Sequence, residues 1–359
     1  MAVTHDLDAA RAALQMINPA PYNAEAPPEA LGGEITPTGQ HYVRSNFALP
    51  AHDGKLEVGG AVEHPTTLTL DDLRAMPAHE RAVTLECAGN GRLEMRPLPT
   101  GEPWGDYAVS TARWTGALLA DVLTQARPAA DGVDVRFEGA DHGAYHLQPI
   151  LPETDNDDLA FVRALPLAHA ADPAAEILIA YEMNGEPLTA DHGAPFRIIV
   201  PHWYAVASVK WLKRIDVLTE PYTGEFQTGH YMYEWPDRPP EPVDVMRVRA
   251  RITDPAAGST MSSGTCTVRG KAWSGTGPVT RVDVSLTGEG EWHAARLDPP
   301  SAPYHWQDWA FDWEANDVGR HTLRARATDA AGNVQPEVPP WNRLGYGNNA
   351  IEVIYVDVV

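Results

Sequence analysis

The sequence predicts an α+β domain followed by an immunoglobulin-like β-sandwich. Three observations lead there. The 359 residues are about twice an ordinary domain in length. From about residue 40 to 220, short strand-like and helix-like segments alternate. Beyond a Pro-rich stretch at 235–243 the hydrophobic pattern turns to period two, as in a sandwich.

Taken in order, residues 1–17 carry Ala9, Ala10, Ala12, Ala13 and Leu14 and predict a first helix. Residues 18–37 hold Pro19, Pro21, Pro27, Pro28 and Pro37, a density that ends any helix and predicts an extended arm. Strands are predicted at 83–85, 134–137, 176–181, 197–200 and 209–217. Between them, 69–76 opens with Thr69-x-x-Asp72, a capping-box pattern, and 116–126 has apolar residues at helical spacing. Pro236, Pro239, Pro240 and Pro242 mark the domain boundary. After it, Val282, Val284 and Leu286 alternate with Asp283, Ser285 and Thr287, and Leu323, Ala325 and Ala327 alternate with Arg324, Arg326 and Thr328. The expected division is an arm at 1–34, a catalytic domain at 35–240 and the sandwich at 241–359.

Composition narrows the function. With 27 Lys and Arg against 49 Asp and Glu, the formal charge is −22, which argues against nucleic acid, whose phosphates need clustered cations. The apolar runs are too short to span a membrane. Two cysteines, Cys87 and Cys266, make neither a disulfide framework nor a zinc set. The first residues show no apolar signal core and no twin arginine, so a cytoplasmic location is expected, or a periplasmic one if the start is trimmed.

No phosphate loop, dinucleotide fingerprint, His-Glu-x-x-His or nucleophile elbow is found. His142 and His146 stand four apart, but Gly143 between them argues against a helical zinc pair. The informative segment is Thr84-Leu85-Glu86-Cys87-Ala88-Gly89-Asn90-Gly91-Arg92. A strand runs into a glycine-rich turn whose amides can face an anion, with a guanidinium beside it and a thiol that suits a soft metal. On residue type alone, Cys87 reads first as a small buried hydrophobe.

This loop resembles the molybdenum-ligating loop of the sulfite oxidase family. Further segments match in the same order: Tyr42-Val43-Arg44-Ser45-Asn46, Ala112-Arg113-Trp114-x-Gly116, Phe137-Glu138-Gly139-x-Asp141, Tyr181-Glu182-Met183-Asn184-Gly185, Asp191-His192-Gly193-x-Pro195-x-Arg197 and Ser208-Val209-Lys210-Trp211. Gly270-x-Ala272-Trp273-Ser274-Gly275 and Arg281-Val282-Asp283-Val284-Ser285 resemble the family's dimerisation domain. The resemblance implies a molybdenum–molybdopterin cofactor with Cys87 as the protein ligand to the metal. It implies that Tyr42, Val43, Arg44, Ser45, Asn46, Asp141, His192, Arg197, Ser208, Val209 and Lys210 hold the pterin and its phosphate. Arg44, Arg92, Trp104 and Tyr231 would surround a small oxyanion such as sulfite, oxidised by oxygen-atom transfer. It further implies a homodimer and a separate electron acceptor, such as a c-type cytochrome.

The resemblance has gaps: Asn46, Gly91, His202 and Met232 stand where the animal enzymes carry His, Arg, Gly and Lys, which makes the expected pocket less cationic. Alternatives are another reaction on the same cofactor (sulfane dehydrogenation, nitrate or S-oxide reduction) and a cofactor-free binding protein. The latter would use Trp273, Trp292, Trp306, Trp309 and Trp313 as its surface. Two further expectations are that Cys266 lies in the sandwich core and that, if Arg92 is only structural, it pairs with Glu94.

Overall fold

The computed structural model describes residues 7–145, 157–288 and 290–359. Two five-stranded sheets build the first part of the molecule. One runs Glu186–Pro187, Leu178–Met183, Val109–Leu118, His79–Glu86, with Arg197–Ile199 also paired to Leu178–Met183. The other runs Thr66–Thr69, Lys55–Gly60, Leu212–Leu218, Asp134–Gly143, Leu159–Pro166. All pairings in these sheets are antiparallel except Lys55–Gly60 with Leu212–Leu218. Strand His79–Glu86 ends at the Cys87 turn, and Asp134–Gly143 carries Asp141.

The helix at 70–75 is closed by the expected box. The Asp72 N–H donates to the Thr69 side chain at 3.3 Å, and Thr69 N–H donates to the Asp72 carboxylate at 2.8 Å. Three other expectations need correction. Among the described residues, the N-terminal helix covers only Leu7–Arg11, and Gln15–Pro19 forms a hairpin with Tyr22–Glu25. The alanine bias favours helix, but Pro19 and Pro21 cannot continue one, and the Asn18 side chain accepts the Ala20 N–H at 3.1 Å to make a turn. The arm is thus not merely extended: Ala24 exchanges two main-chain bonds with Val43, each 2.9 Å. The helix read at 116–126 begins at Leu119, because 116–118 complete strand Val109–Leu118 against Leu178–Met183.

The last third is a sandwich of a four-stranded sheet (Arg249–Asp254, Gly264–Trp273, Gln307–Ala315, Arg296–Leu297) and a five-stranded one. The second runs Thr260–Met261, Glu352–Val358, Gly319–Asp329, Val279–Ser285, His293–Ala294. Val282, Val284, Leu323, Ala325 and Ala327 are fully buried between the layers, as period two requires. Cys266 is only partly buried at the margin of this core: it stands opposite the buried Trp313, but close to the start of its strand at Gly264. Four of the five expected tryptophans are not on a surface at all, and Trp292 is half-buried. Trp273, Trp306, Trp309 and Trp313 are all buried, and Trp273 and Trp306 belong to the core of the catalytic part. Their bulk cements the two parts together. Among the described residues, no helix is long and apolar enough to cross a membrane.

Candidate functional site

The Cys87 turn is fixed by main-chain bonds on both sides. Cys87 N–H donates to Ala108 O at 2.8 Å, Asn90 N–H to Cys87 O at 2.9 Å, and Arg92 N–H to Gly89 O at 3.1 Å. Asn90 braces the turn from within, donating to Glu86 Oε1 at 2.9 Å and accepting the Ala108 N–H at 3.1 Å. The two glycines leave room for neighbouring side chains, and Gly91 also takes a backbone conformation that favours glycine. A Cβ on Gly89 would lie 2.6 Å from the Arg92 guanidinium, and Gly91, at φ +79°, has the Asn348 amide 2.9 Å from where a Cβ would sit.

Two adjoining cavities meet at Cys87. The first, of about 670 Å³, is lined by Tyr42, Val43, Arg44, Ser45, Asn46, Cys87, Asp141, His192, Arg197, Ser208 and Lys210, all expected, and by His41 and Asp191, which sequence reasoning missed. The second, of about 1110 Å³, shares Arg44, Asn46, Cys87 and Tyr231 with the first and adds Arg92, Trp104, Glu102, Tyr145 and Tyr346. Of the expected residues only Val209 stands apart: it faces the apolar core and its carbonyl accepts the Ile198 N–H at 2.9 Å. Successive residues point opposite ways, so Ser208 and Lys210 reach the cavity and Val209 does not.

The electrostatics of the first cavity suit a polar anion with a heterocycle. Among the described residues Arg197 donates only to carbonyls, those of His192 at 3.1 Å, Ser208 at 2.8 Å and Ile198 at 3.4 Å. Lys210 donates to Ser45 Oγ at 2.9 Å and Asp191 O at 2.8 Å. Burial lowers the Arg197 pKa to about 10. Burial, with Arg197 beside it, lowers that of Lys210 to about 7, against the pull of Asp141 and Asp191. Burial drives the Asp141 carboxyl up to about 7, and its Oδ1, like His41 Nε2, is buried with no partner among the described residues. Two confined cations and two orphaned polar atoms around one cleft are what a phosphorylated pterin would satisfy. The donor set fits the group.

His192 is held neutral: burial first, then Lys210 and Arg197, lower its pKa to about 3. The unfolded chain takes up this proton near 6.5. The folded state therefore binds fewer protons between about 3 and 6.5, and stability falls as pH drops through that window. A His192→Gln variant is expected to show a shallower fall in Tm from pH 7 to pH 4 than the parent; parallel curves would refute the assignment.

In the second cavity, Arg44 donates to Ser45 O and to Asn46 Oδ1 (2.5 Å). Burial opposes its charge, but Tyr231, Cys87 and Glu102 outweigh burial and raise its pKa. Burial pushes the Cys87 thiol up, while Arg44, the Gly89 N–H and Arg92 favour its thiolate. Arg92 does not pair with Glu94. Its Nε donates to Leu344 O at 2.9 Å and its Nη1 to Glu102 O at 2.6 Å. Glu94 faces Asp106 instead. Tyr231 follows a π-helical turn at Glu225–Gly229, a feature common at functional sites. It sits at φ +59°, a conformation that costs a bulky residue about 1–3 kcal/mol. Just before it, His230 Nδ1 lies 2.6 Å from Glu225 Oε1, both side chains wholly buried.

Glu86, next to the cysteine, is gripped from the sandwich. Arg249 Nη1 donates to its Oε1 at 3.0 Å and Trp273 Nε1 to its Oε2 at 2.9 Å. Arg249 also binds Asp106 at 2.7 Å, and Arg251 joins Asp106 to Glu352, each at 2.9 Å. The C-terminal tail adds direct stitches: Gly347 N–H to Ala88 O at 2.7 Å and Asn348 Nδ2 to Gly91 O at 2.7 Å.

Comparison with known proteins agrees with this arrangement. Residues 46–226 match the family model of the oxidoreductase molybdopterin binding domain, and residues 241–358 that of the Mo-co oxidoreductase dimerisation domain. The chain is 38 % identical to mitochondrial sulfite oxidase of Mus musculus over 97 % of its own length, and spans 66 % of that protein. It is 36 % identical to sulfite oxidase of Gallus gallus, covering 90 % of this chain and 74 % of the other. An NADH nitrate reductase of Phaseolus vulgaris is 34 % identical, with 92 % and 40 % covered. The crystal structure of the sulfane dehydrogenase SoxCD from Paracoccus pantotrophus superposes with a TM-score of 0.81 at 26 % identity, covering 99 % of this chain and 90 % of that one. The chain belongs to the sulfite oxidase family of molybdopterin-dependent oxidoreductases.

Proposed function

We propose that this protein oxidises sulfite to sulfate, using a molybdenum–molybdopterin cofactor, and passes the electrons to a separate acceptor. The observation that carries the reading is the convergence of Cys87, Arg44, Arg92 and Tyr231 on one cavity. When bound, the cofactor supplies oxygen-atom transfer and the redox change; the protein supplies binding, orientation and field. Cys87 is the thiolate ligand to the metal. Tyr42 to Asn46, Asp141, His192, Arg197, Ser208 and Lys210 hold the pterin and its phosphate. Arg44 and Arg92 attract and orient a small dianion, Trp104 closes the wall behind it, and the Tyr231 hydroxyl donates a hydrogen bond to the reacting substrate. The sandwich is read as the dimer module, and a protein of net charge −22 suits a basic electron acceptor such as a c-type cytochrome.

The reading is tested by molybdenum and pterin analysis of the purified protein, then by steady-state assay of sulfite with a dye acceptor. Nitrate and S-oxides with a reduced dye are the contrasting assays, and turnover of those alone would overturn it. A second reading, dehydrogenation of a sulfane substrate, has one observation in its favour. Glu102 lines the same cavity as the two arginines, and its charge opposes a free dianion. A sulfane substrate in the same dye assay separates the two.

Arg92 is the sharper probe of substrate charge. Removing a charged hydrogen-bonding group costs roughly 1.5–3 kcal/mol, so Arg92→Gln is expected to raise KM for sulfite by about 10- to 100-fold. Arg92→Lys keeps the charge without the fork and falls between. Because Arg92 also ties the loop to Leu344 and Glu102, Tm is measured on the same variants. A lowered Tm with an unchanged KM would make Arg92 purely structural.

A further inference from the structure

Tyr346 is the one aromatic that the C-terminal tail sends to the wall of the second cavity. It is buried, and its ring stacks on that of Tyr231 with centroids 5.1 Å apart and an interplanar angle of 19°. Burial raises the pKa of its hydroxyl, and Arg92 and the main-chain N–H of Tyr231 act against that rise. Tyr346 is itself held unusually firmly. Its N–H donates to Asn342 Oδ1 at 2.9 Å and its carbonyl accepts from Asn342 Nδ2 at 2.8 Å. The flanking Gly345 and Gly347 take φ of +64° and +63°, and Gly347 is bonded to Ala88 beside the cysteine. The Arg92 guanidinium carbon lies 5.3 Å from the centre of its ring.

Tyr231 needs such support. It occupies a left-handed conformation that an aromatic residue leaves unless its surroundings hold it. Its other ring neighbours are looser: Phe226 is tilted at 6.5 Å, and the Arg163 guanidinium stands 5.9 Å away. Among the described residues, only Tyr346 offers it a parallel face at stacking distance.

We propose that Tyr346 is the positioning residue for Tyr231, a platform by which the sandwich domain sets the angle of the Tyr231 hydroxyl over the substrate cavity. This rests on the reading of Tyr231 as a substrate-contacting residue, but the structural half of it does not depend on which substrate is turned over. A residue that acts through another loses its effect when the other is disabled.

The experiment uses cofactor-loaded protein with matched molybdenum content and two variants, Tyr346→Phe and Tyr346→Leu. Amide exchange over residues 225–233 is expected to quicken in the order parent, Phe, Leu, by about fivefold or more in the last, while residues 79–86 are unchanged. With sulfite, Tyr346→Leu is expected to lower kcat about tenfold with KM within about twofold, and Phe to recover most of the loss. In a Tyr231→Phe background, Tyr346→Leu should lower kcat less than about twofold further. Unchanged exchange, or losses in kcat that multiply, would overturn the proposal. If Tyr346→Leu does not fold, the Phe variant alone must still quicken exchange at 225–233, and its failure to do so overturns it equally. If the parent does not oxidise sulfite, the functional reading fails while the exchange measurement still decides the role of Tyr346.

Discussion

Cys87→Ser protein is expected to retain its fold and its pterin but to lose sulfite turnover by more than about a thousandfold, since a hydroxyl is a harder and poorer ligand and shifts the redox poise. The fold should survive because the side chain contributes little to packing that serine cannot replace. The turn is held instead by the Cys87 N–H on Ala108 O and by the Asn90 bonds to Glu86 and Ala108. The pterin should survive because Asp141, His192, Arg197 and Lys210 line a part of the cleft that the substitution leaves intact. Three measurements on one preparation check this: Tm, released pterin and turnover. Parent-like turnover in the variant would remove Cys87 from the metal. Cys266→Ser is the companion, and at its partly buried position it should behave like an ordinary marginal substitution.

The second large effect is on stability. Arg249→Met removes the cation shared by Glu86 and Asp106, whose side chains are 2 % and 14 % exposed. Breaking a buried ion pair from one side costs about 3–5 kcal/mol, because the partner charge stays buried without compensation. For a chain of this size that is a fall of roughly 4–7 °C in Tm. Trp273 Nε1 and Asn90 Nδ2 still bond to Glu86, so the carboxylate is not wholly stranded, and the lower end of the range applies. Arg320, exposed and paired with Asp357 on the outer strand, is the control: its replacement by methionine should leave Tm almost unmoved. Equal effects at the two positions would deny the buried network any special weight.

The catalytic part was legible where function is written in contiguous residues. Cys87 with Gly89, the run 42–46, and His192 with Arg197 all line the cavities. What escaped came from contacts between distant segments. Tyr346 reaches the site from the end of the chain, Tyr145 from the edge of a strand, and Glu102 from the loop before Trp104. Nothing local distinguishes them, although Gly345 and Gly347 around Tyr346 were a readable hint of a forced backbone. Val209 failed for a simpler reason: a motif was carried over whole when only its alternate residues face the cavity. The N-terminal helix is shorter than alanine content suggests because that propensity is weak against the hairpin that Gln15–Pro19 forms with Tyr22–Glu25. His146 lies outside the described residues; His142, its supposed partner, pairs with Asp158.

The stitches from the C-terminal tail to the cysteine turn, Gly347 to Ala88 and Asn348 to Gly91, bear on how such enzymes diversify. The residues proposed to cradle the pterin lie in the first two-thirds of the chain, whereas part of the wall of the second cavity is lent by the last 20 residues. Mutational drift in that tail can reshape the vestibule while the cofactor's own shell is left untouched. Recombination that exchanges one sandwich for a relative's would carry a preference for substrate along with it. A lineage could thus explore new chemistry at the far end of its gene without relearning how to hold molybdenum.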